Sequence, residues 1–106
     1  MTLEKLVRDR VPEIMRASGI SVHVRTVTSH EELLSFLMAK LLEETAEFHA
    51  TPNVDELADI LEVLDALMGT LGVERAAVDA RKRAKAAERG AFVDGLVLRL
   101  EGGDGR

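Results

Sequence analysis

The chain has 106 residues, a net charge of −5 at pH 7 and 46% hydrophobic residues, but only three Phe and no Trp, Tyr or Cys. The lack of cysteine excludes disulfides and thiolate metal sites. The lack of a leader sequence or of an apolar run of ~20 residues predicts a cytoplasmic protein that does not enter a membrane. The acidic balance argues against general nucleic-acid binding, and the length predicts one domain over 1–100 with a flexible tail over 101–106.

A short helix and a short strand are the first elements predicted along the chain. Pro12 suits a first helical turn and Gly19 a helix end, which predicts a helix over 12–18. Apolar residues then alternate with polar ones from Ile20 onwards. This alternation predicts a strand within 20–28.

Two long helices joined by a short connection come next. Ser29 and Glu32 have the spacing of a capping box, which predicts a helix over 29–49. After a run of helix-breaking residues, a second helix is predicted over 54–70, ended by Gly72. Because the connection is short, the two helices should pack as an antiparallel hairpin.

The last predicted elements are a third long helix over 74–89 and a second strand. That strand would pair with the first one, giving a small β ribbon from 20–28 and 93–100. The predicted fold is therefore mainly all-α, a helical bundle built on the long-helix hairpin.

Carboxylates at matched spacing are the chemically informative feature of this hairpin. Glu44 and Glu47 lie one turn apart near the end of the first helix, and Glu56 and Asp59 do the same at the start of the second. In an antiparallel hairpin all four converge. Four ionised carboxylates cannot share a desolvated site unless cations neutralise them, and oxygen ligands favour Mg²⁺ or Mn²⁺.

Structural roles compete with this interpretation for some of the acids. Glu56 lies three residues after Asn53, so it also fits a helix cap. Glu47 is harder to explain by a structural role, because it forms a like-charged pair with Glu43 that weakens an isolated helix. Glu44 takes a position in an apolar stripe where leucine would be expected, and a carboxylate there needs a compensating charge. The set of four is therefore better explained by metal binding.

Four motifs in this sequence carry a resemblance to a known family. EETAE (43–47) and ELAD (56–59) resemble the EExxE…ExxD pattern of the MazG-like all-α nucleoside triphosphate pyrophosphohydrolases. The flanking KLVRDRVPEIM (5–15) and RGAF (89–92) resemble a small bacterial and phage-type branch of that superfamily, which is also related to phosphoribosyl-ATP pyrophosphohydrolases. The similarity covers roughly residues 3–98.

The resemblance implies an activity and a site. Such enzymes hydrolyse a nucleoside triphosphate between the α and β phosphates, giving the monophosphate and pyrophosphate, in nucleotide-pool house-cleaning. By matching positions, Glu44, Glu47, Glu56 and Asp59 would bind Mg²⁺, and Glu43 would orient or deprotonate the attacking water. The resemblance also implies a homodimer or homotetramer, and apolar residues on more than one face of the second long helix agree with it.

Basic residues near both ends are candidates for binding phosphate. Lys82, Lys85 and Arg89 share one face of the third long helix. Lys5 and Arg8 belong to the N-terminal motif. The alternatives are a solvated basic face for the first group and a salt-bridged packing segment for the second.

Two other functions fit the same sequence features. One is phosphoribosyl-ATP pyrophosphohydrolase, which cleaves the same bond in a different substrate. The other is a helical interaction module that binds metal for stability without catalysis.

Overall fold

The computed structural model describes residues 3–101, and over this range the chain is all-helical. The helices are α1 (Val11–Ala17), α2 (His30–Ala50), α3 (Val54–Leu71) and α4 (Arg75–Arg89). The all-α prediction is thus confirmed, and the predicted helix ends agree to within about one residue. Of the predicted tail, 102–106 lie outside the described residues. None of these helices combines the length and the apolar character that crossing a membrane requires.

Polar side chains begin both long helices, as the sequence predicted. Ser29 Oγ accepts a hydrogen bond from the Glu32 amide at 2.9 Å, and Asn53 Oδ1 accepts one from the Glu56 amide at 2.9 Å. The reciprocal half of the Ser29 capping box is not formed, because the Glu32 carboxylate instead pairs with Arg25 at 2.8 Å. The start of α3 is therefore fixed by Asn53, which leaves the Glu56 side chain free for another role.

Helices α2 and α3 pack against each other and enclose a small core. Within residues 3–101, Leu37 and Val63 are the buried apolar side chains, one from each helix. Six other large apolar side chains of the hairpin are exposed, namely Met38, Leu42, Val54, Leu57, Leu61 and Leu71. The hairpin therefore has more apolar surface than it covers by itself.

The described part of the chain divides into two compact units, one that ends at Arg75 and one that begins at Ala76. The first unit contains α1, α2 and α3, and α4 belongs to the second apart from its first residue. An ion pair between Arg75 and Asp65 at 2.7 Å joins the end of the first unit back to α3.

The predicted β ribbon is absent from the described residues, so that prediction was wrong. Residues 20–28 and 93–100 contain no strand and run as irregular chain. Their apolar side chains are largely exposed, with Val24 57% and Val97 94% accessible. Because a two-stranded ribbon is marginal without a surface to pack on, alternation over a few residues is not enough to form one.

Candidate metal centre

The short connection between α2 and α3 brings the end of one helix beside the start of the other. On α2, Glu43, Glu44 and Glu47 offer carboxylate oxygens that lie within 4.8 Å of one another. Glu44 belongs to a second such group with Glu56 and Asp59 of α3. The structure thus brings together the four carboxylates that the sequence pattern singled out, with Glu43 beside them. We call these five residues the carboxylate cluster.

Glu44 lies at the centre of the carboxylate cluster and is its most buried member. Its side chain is only 8% exposed, and Lys40 Nζ lies 3.4 Å from its Oε1. The other oxygen, Oε2, is buried and has no hydrogen-bond partner among the described residues. A buried carboxylate oxygen without a partner is costly, and a bound cation or an ordered water would remove that cost.

Glu56 carries a second buried oxygen without a partner. Its backbone amide is used by the Asn53 cap, but among the described residues no donor lies within hydrogen-bond geometry of its carboxylate Oε2. Partial burial, together with the nearby carboxylates Glu47, Asp59 and Glu44, raises the pKa of the Glu56 carboxyl. Negative charges crowd around two unpartnered oxygens, and a bound cation would reduce their mutual repulsion.

Glu43 differs from the other acids because two ammonium groups already neutralise it. Lys5 donates to Oε1 at 2.9 Å, and Lys40 donates to Oε2 at 3.3 Å. The hydrogen bond from Lys5, assisted by Lys40, holds the pKa of the Glu43 carboxyl below its usual range. In this state Glu43 is a weak base.

Asp59 is paired in the same way from the N-terminal segment. Arg8 Nη2 donates to Asp59 Oδ1 at 2.7 Å, and Arg8 Nη1 lies 4.0 Å from Glu62. The two N-terminal bases singled out in the sequence, Lys5 and Arg8, therefore both contact acids of the carboxylate cluster. The salt-bridged arrangement, one of the two alternatives for this segment, describes its state in this structure.

The other predicted phosphate-binding residues lie on α4. Lys82, Lys85 and Arg89 are exposed and share one face of the helix, as their spacing predicts. They belong to the second compact unit. Their role in binding phosphate stays a prediction.

Lys40 is a site residue that the sequence interpretation missed. Its side chain is 17% exposed, and it contacts both Glu43 and Glu44 from the same helix. The signal was available, since Lys40 precedes these acids by three and four residues, the spacing of neighbours on one helical face.

A groove of about 210 Å³ adjoins the carboxylate cluster along α2. Phe36 and Ala39 line its apolar part, and Lys5, Lys40 and Glu43 line the end that meets the cluster. Seven residues of helix, roughly 10 Å, separate Phe36 from Glu43. The groove therefore joins an apolar lining to charged groups at the carboxylate cluster.

The donor set fits a hard divalent cation. All the candidate ligands are carboxylate oxygens from two helices, two of them are buried without partners, and no sulfur is present. Such oxygen-only sites suit Mg²⁺ or Mn²⁺ better than zinc or copper. The carboxylate cluster can therefore hold a cation, and anionic groups such as phosphates can bind to that cation.

Comparison with known proteins leaves the family of this chain open. No family model matches it. An uncharacterized protein of Mycolicibacterium smegmatis is 47% identical over 53 residues, which is 50% of this chain and 53% of that protein. The chain thus spans about half the length of the curated relative that it matches. No solved structure matches the chain.

Proposed function

We propose that this chain is a MazG-like nucleoside triphosphate pyrophosphohydrolase that uses Mg²⁺ and acts in the cytoplasm. The observation that carries the proposal is the convergence of Glu44, Glu47, Glu56 and Asp59 from two helices, with two buried oxygens that lack partners. A purely structural acidic surface would leave its oxygens in water. Buried carboxylate oxygens without a protein partner are instead expected where the carboxylates bind a cation.

The proposed reaction is hydrolysis at the α-phosphorus. Water attacks that phosphorus, the bond from it to the α–β bridging oxygen breaks, and pyrophosphate leaves with the bonding electron pair. The water oxygen stays on the nucleoside monophosphate, and the proton of the water passes to solvent or, in the deprotonation role, to Glu43. When bound, Mg²⁺ supplies positive charge to the phosphate oxygens and makes water more acidic. The carboxylates that hold the cation set where the triphosphate lies, which is most of the catalytic task in phosphoryl transfer.

Glu43 has a more specific role in this proposal. The resemblance left two roles open, orientation of the water or its deprotonation. Lys5 and Lys40 hold the pKa of the Glu43 carboxyl low, which supports orientation while both pairs are present, whereas loss of the Lys5 pair would favour deprotonation. Lys40, which contacts Glu43 and Glu44 together, is proposed as the residue that fixes their geometry.

The groove along α2 supports a nucleotide over a simple polyphosphate. Its apolar end at Phe36 suits a base or sugar, and its other end reaches the carboxylate cluster through Glu43. The phosphates would then lie at the cluster, near Lys5 and Arg8, which contact Glu43 and Asp59. Lys82, Lys85 and Arg89 of α4 stay predicted phosphate-binding residues.

We also propose that the working form is a homodimer or homotetramer. Apolar side chains of α3 at 54, 57 and 61 form an exposed stripe, and Met38 and Leu42 form another on α2. A second copy of the hairpin presents the same stripes, so it can cover them in a larger bundle.

Product analysis tests the function. Canonical and damaged nucleoside triphosphates are incubated with Mg²⁺ and one of three proteins: wild type, Glu47→Gln or Asp55→Asn. Asp55 is an acid outside the carboxylate cluster, so Asp55→Asn is the matched control. We expect monophosphate and pyrophosphate from wild type and Asp55→Asn, and a loss of at least about 100-fold for Glu47→Gln.

Three other outcomes would contradict the proposal, and each would indicate a different function. Diphosphate and phosphate would overturn α–β cleavage. Turnover of phosphoribosyl-ATP alone would identify the related pyrophosphohydrolase. Stabilisation by Mg²⁺ that Glu47→Gln abolishes, without turnover of any substrate, would identify a non-catalytic metal-stabilised module.

A further inference from the structure

The segment that precedes α1 joins both long helices through charged contacts with the carboxylate cluster. Lys5 pairs with Glu43 of α2 at 2.9 Å, and three residues later Arg8 pairs with Asp59 of α3 at 2.7 Å. Both basic side chains are about half exposed, and Leu3 at the start of the segment is 86% exposed. Leu6 and Val7, which lie between the two bases, are half-buried, so apolar contact holds the segment in place while the charged side chains of Lys5 and Arg8 stay accessible.

These two pairs differ from the contact that Lys40 makes. Lys40 belongs to α2 itself, is 17% exposed and contacts two acids at once, so it is part of the hairpin. Lys5 and Arg8 come from a separate segment and remain accessible to water. Because exposed ion pairs are weak, a competing divalent cation can replace them at little cost.

Charge also favours such an exchange. Five carboxylates face the three positive charges of Lys5, Arg8 and Lys40, and an oxygen of Glu44 and one of Glu56 remain without partners. The N-terminal bases thus neutralise only part of the cluster, and they do so at its edge. Divalent cations among the carboxylates would complete the neutralisation and make these two bases redundant there.

We propose that Lys5 and Arg8 are exchangeable counter-cations of the carboxylate cluster. They pair with Glu43 and Asp59 while the cluster holds no divalent cation, and its arrival releases them to bind the phosphate oxygens of the substrate. The inference rests on the proposed function, because it takes the cluster as the metal site. It adds an order of events: the cation binds first, and the phosphate-binding bases become available only then.

The test compares cation affinity with polyphosphate affinity. Mn²⁺ binding and, at saturating Mn²⁺, inorganic tripolyphosphate binding are measured by calorimetry for wild type and for Lys5→Gln/Arg8→Gln. The control, Arg10→Gln/Arg16→Gln, removes the same charge from neighbours that contact Glu13 and the Val22 carbonyl. We expect the first variant to bind Mn²⁺ about 3- to 10-fold more tightly and tripolyphosphate more weakly, and the control to match wild type.

Opposite signs of the two effects are what distinguish exchange from a structural role. A variant that merely damaged the fold would weaken both affinities, which would overturn the proposal, as would unchanged Mn²⁺ affinity. Tighter Mn²⁺ binding with unchanged tripolyphosphate binding would overturn the transfer to phosphate. If wild type bound no Mn²⁺, or if Glu47→Gln bound it equally well, the metal site itself, and the proposed function with it, would be wrong.

Trypsin provides a second readout on the unaltered protein. Cleavage after Lys5 requires its side chain to enter the protease, so pairing with Glu43 should slow it. We expect added Mg²⁺ to accelerate cleavage after Lys5 and to leave cleavage after Arg99, in exposed irregular chain, unchanged. Equal rates at Lys5 with and without Mg²⁺ would contradict release.

Discussion

At the scale of single residues, position in the fold separates acids that look alike in the sequence. Glu43 and Glu44 are neighbours in one motif, yet Glu43 accepts hydrogen bonds from two lysines while Glu44 is buried with an unpartnered oxygen. The helical stripe predicted that a side chain at position 44 faces the interior. Its cationic contact, Lys40, lies four residues earlier on the same helix, but the carboxylates that it meets, Glu56 and Asp59, come from α3.

Replacement of Glu44 by leucine, the residue expected in this apolar stripe, tests how much the buried, unpartnered oxygen destabilises the fold. We expect Glu44→Leu to raise the free energy of unfolding of the metal-free protein by about 1 to 3 kcal/mol, because a buried oxygen without a partner is removed. Stabilisation by Mg²⁺ should disappear in the same variant. Chemical denaturation with and without Mg²⁺ measures both effects.

An exposed acid of the same helix provides the control for this substitution. Glu31→Leu should change the unfolding free energy by less than about 0.5 kcal/mol, as surface substitutions usually do. A destabilised metal-free Glu44→Leu would show that this carboxylate contributes to the fold without a cation.

At the scale of helices, local sequence accounts for where each one begins and ends. Ser29 and Asn53 cap α2 and α3, and Gly72 ends α3 with a φ of +70°, which glycine adopts without strain. These signals act within one turn of the chain, so they can be recognised without knowledge of the fold. The failed β ribbon shows the limit, since a strand needs a partner that no local pattern guarantees.

The Asn53 cap should matter for the site as well as for the helix. Asn53→Ala removes the acceptor for the Glu56 amide, and we expect it to lower the unfolding free energy by about 1 kcal/mol. Because Glu56 and Asp59 lie in the first two turns of α3, fraying there should also weaken Mg²⁺ binding. Thermal unfolding and a Mg²⁺ titration measure the two effects.

Asn53→Asp serves as the matched variant, since aspartate caps about as well as asparagine. It should retain the stability that alanine loses. Equal losses in both variants would mean that the asparagine acts through some other contact.

At the scale of the whole molecule, the exposed apolar stripes are the dominant feature. Val54 is 76% exposed and Leu42 72%, although both lie on the helices that form the core. Side chains of this size on an ordered helix are expected to be covered by another surface. The proposed homo-oligomer provides that cover and would also bring two carboxylate clusters into one assembly.

Charge placed on the α3 stripe should separate the copies. We expect wild type to sediment as a dimer or tetramer with a melting temperature that rises with protein concentration, and Leu57→Lys/Leu61→Lys to sediment as a monomer. Leu98→Lys, which changes an exposed apolar residue of the irregular C-terminal segment, is the control and should keep the assembly. A monomeric wild type at all concentrations would contradict the proposal.

The sequence by itself determined the helices, their caps and the spacing that aligns four carboxylates on a hairpin. These depend on contacts within one or two turns, which the order of residues specifies directly. Only the tertiary structure decided that Glu44 keeps an oxygen without a partner among the described residues, that Lys5 and Arg8 pair with Glu43 and Asp59, and that residues 20–28 form no strand. Those outcomes depend on which distant segments meet, and no local pattern encodes the competition between one partner and another.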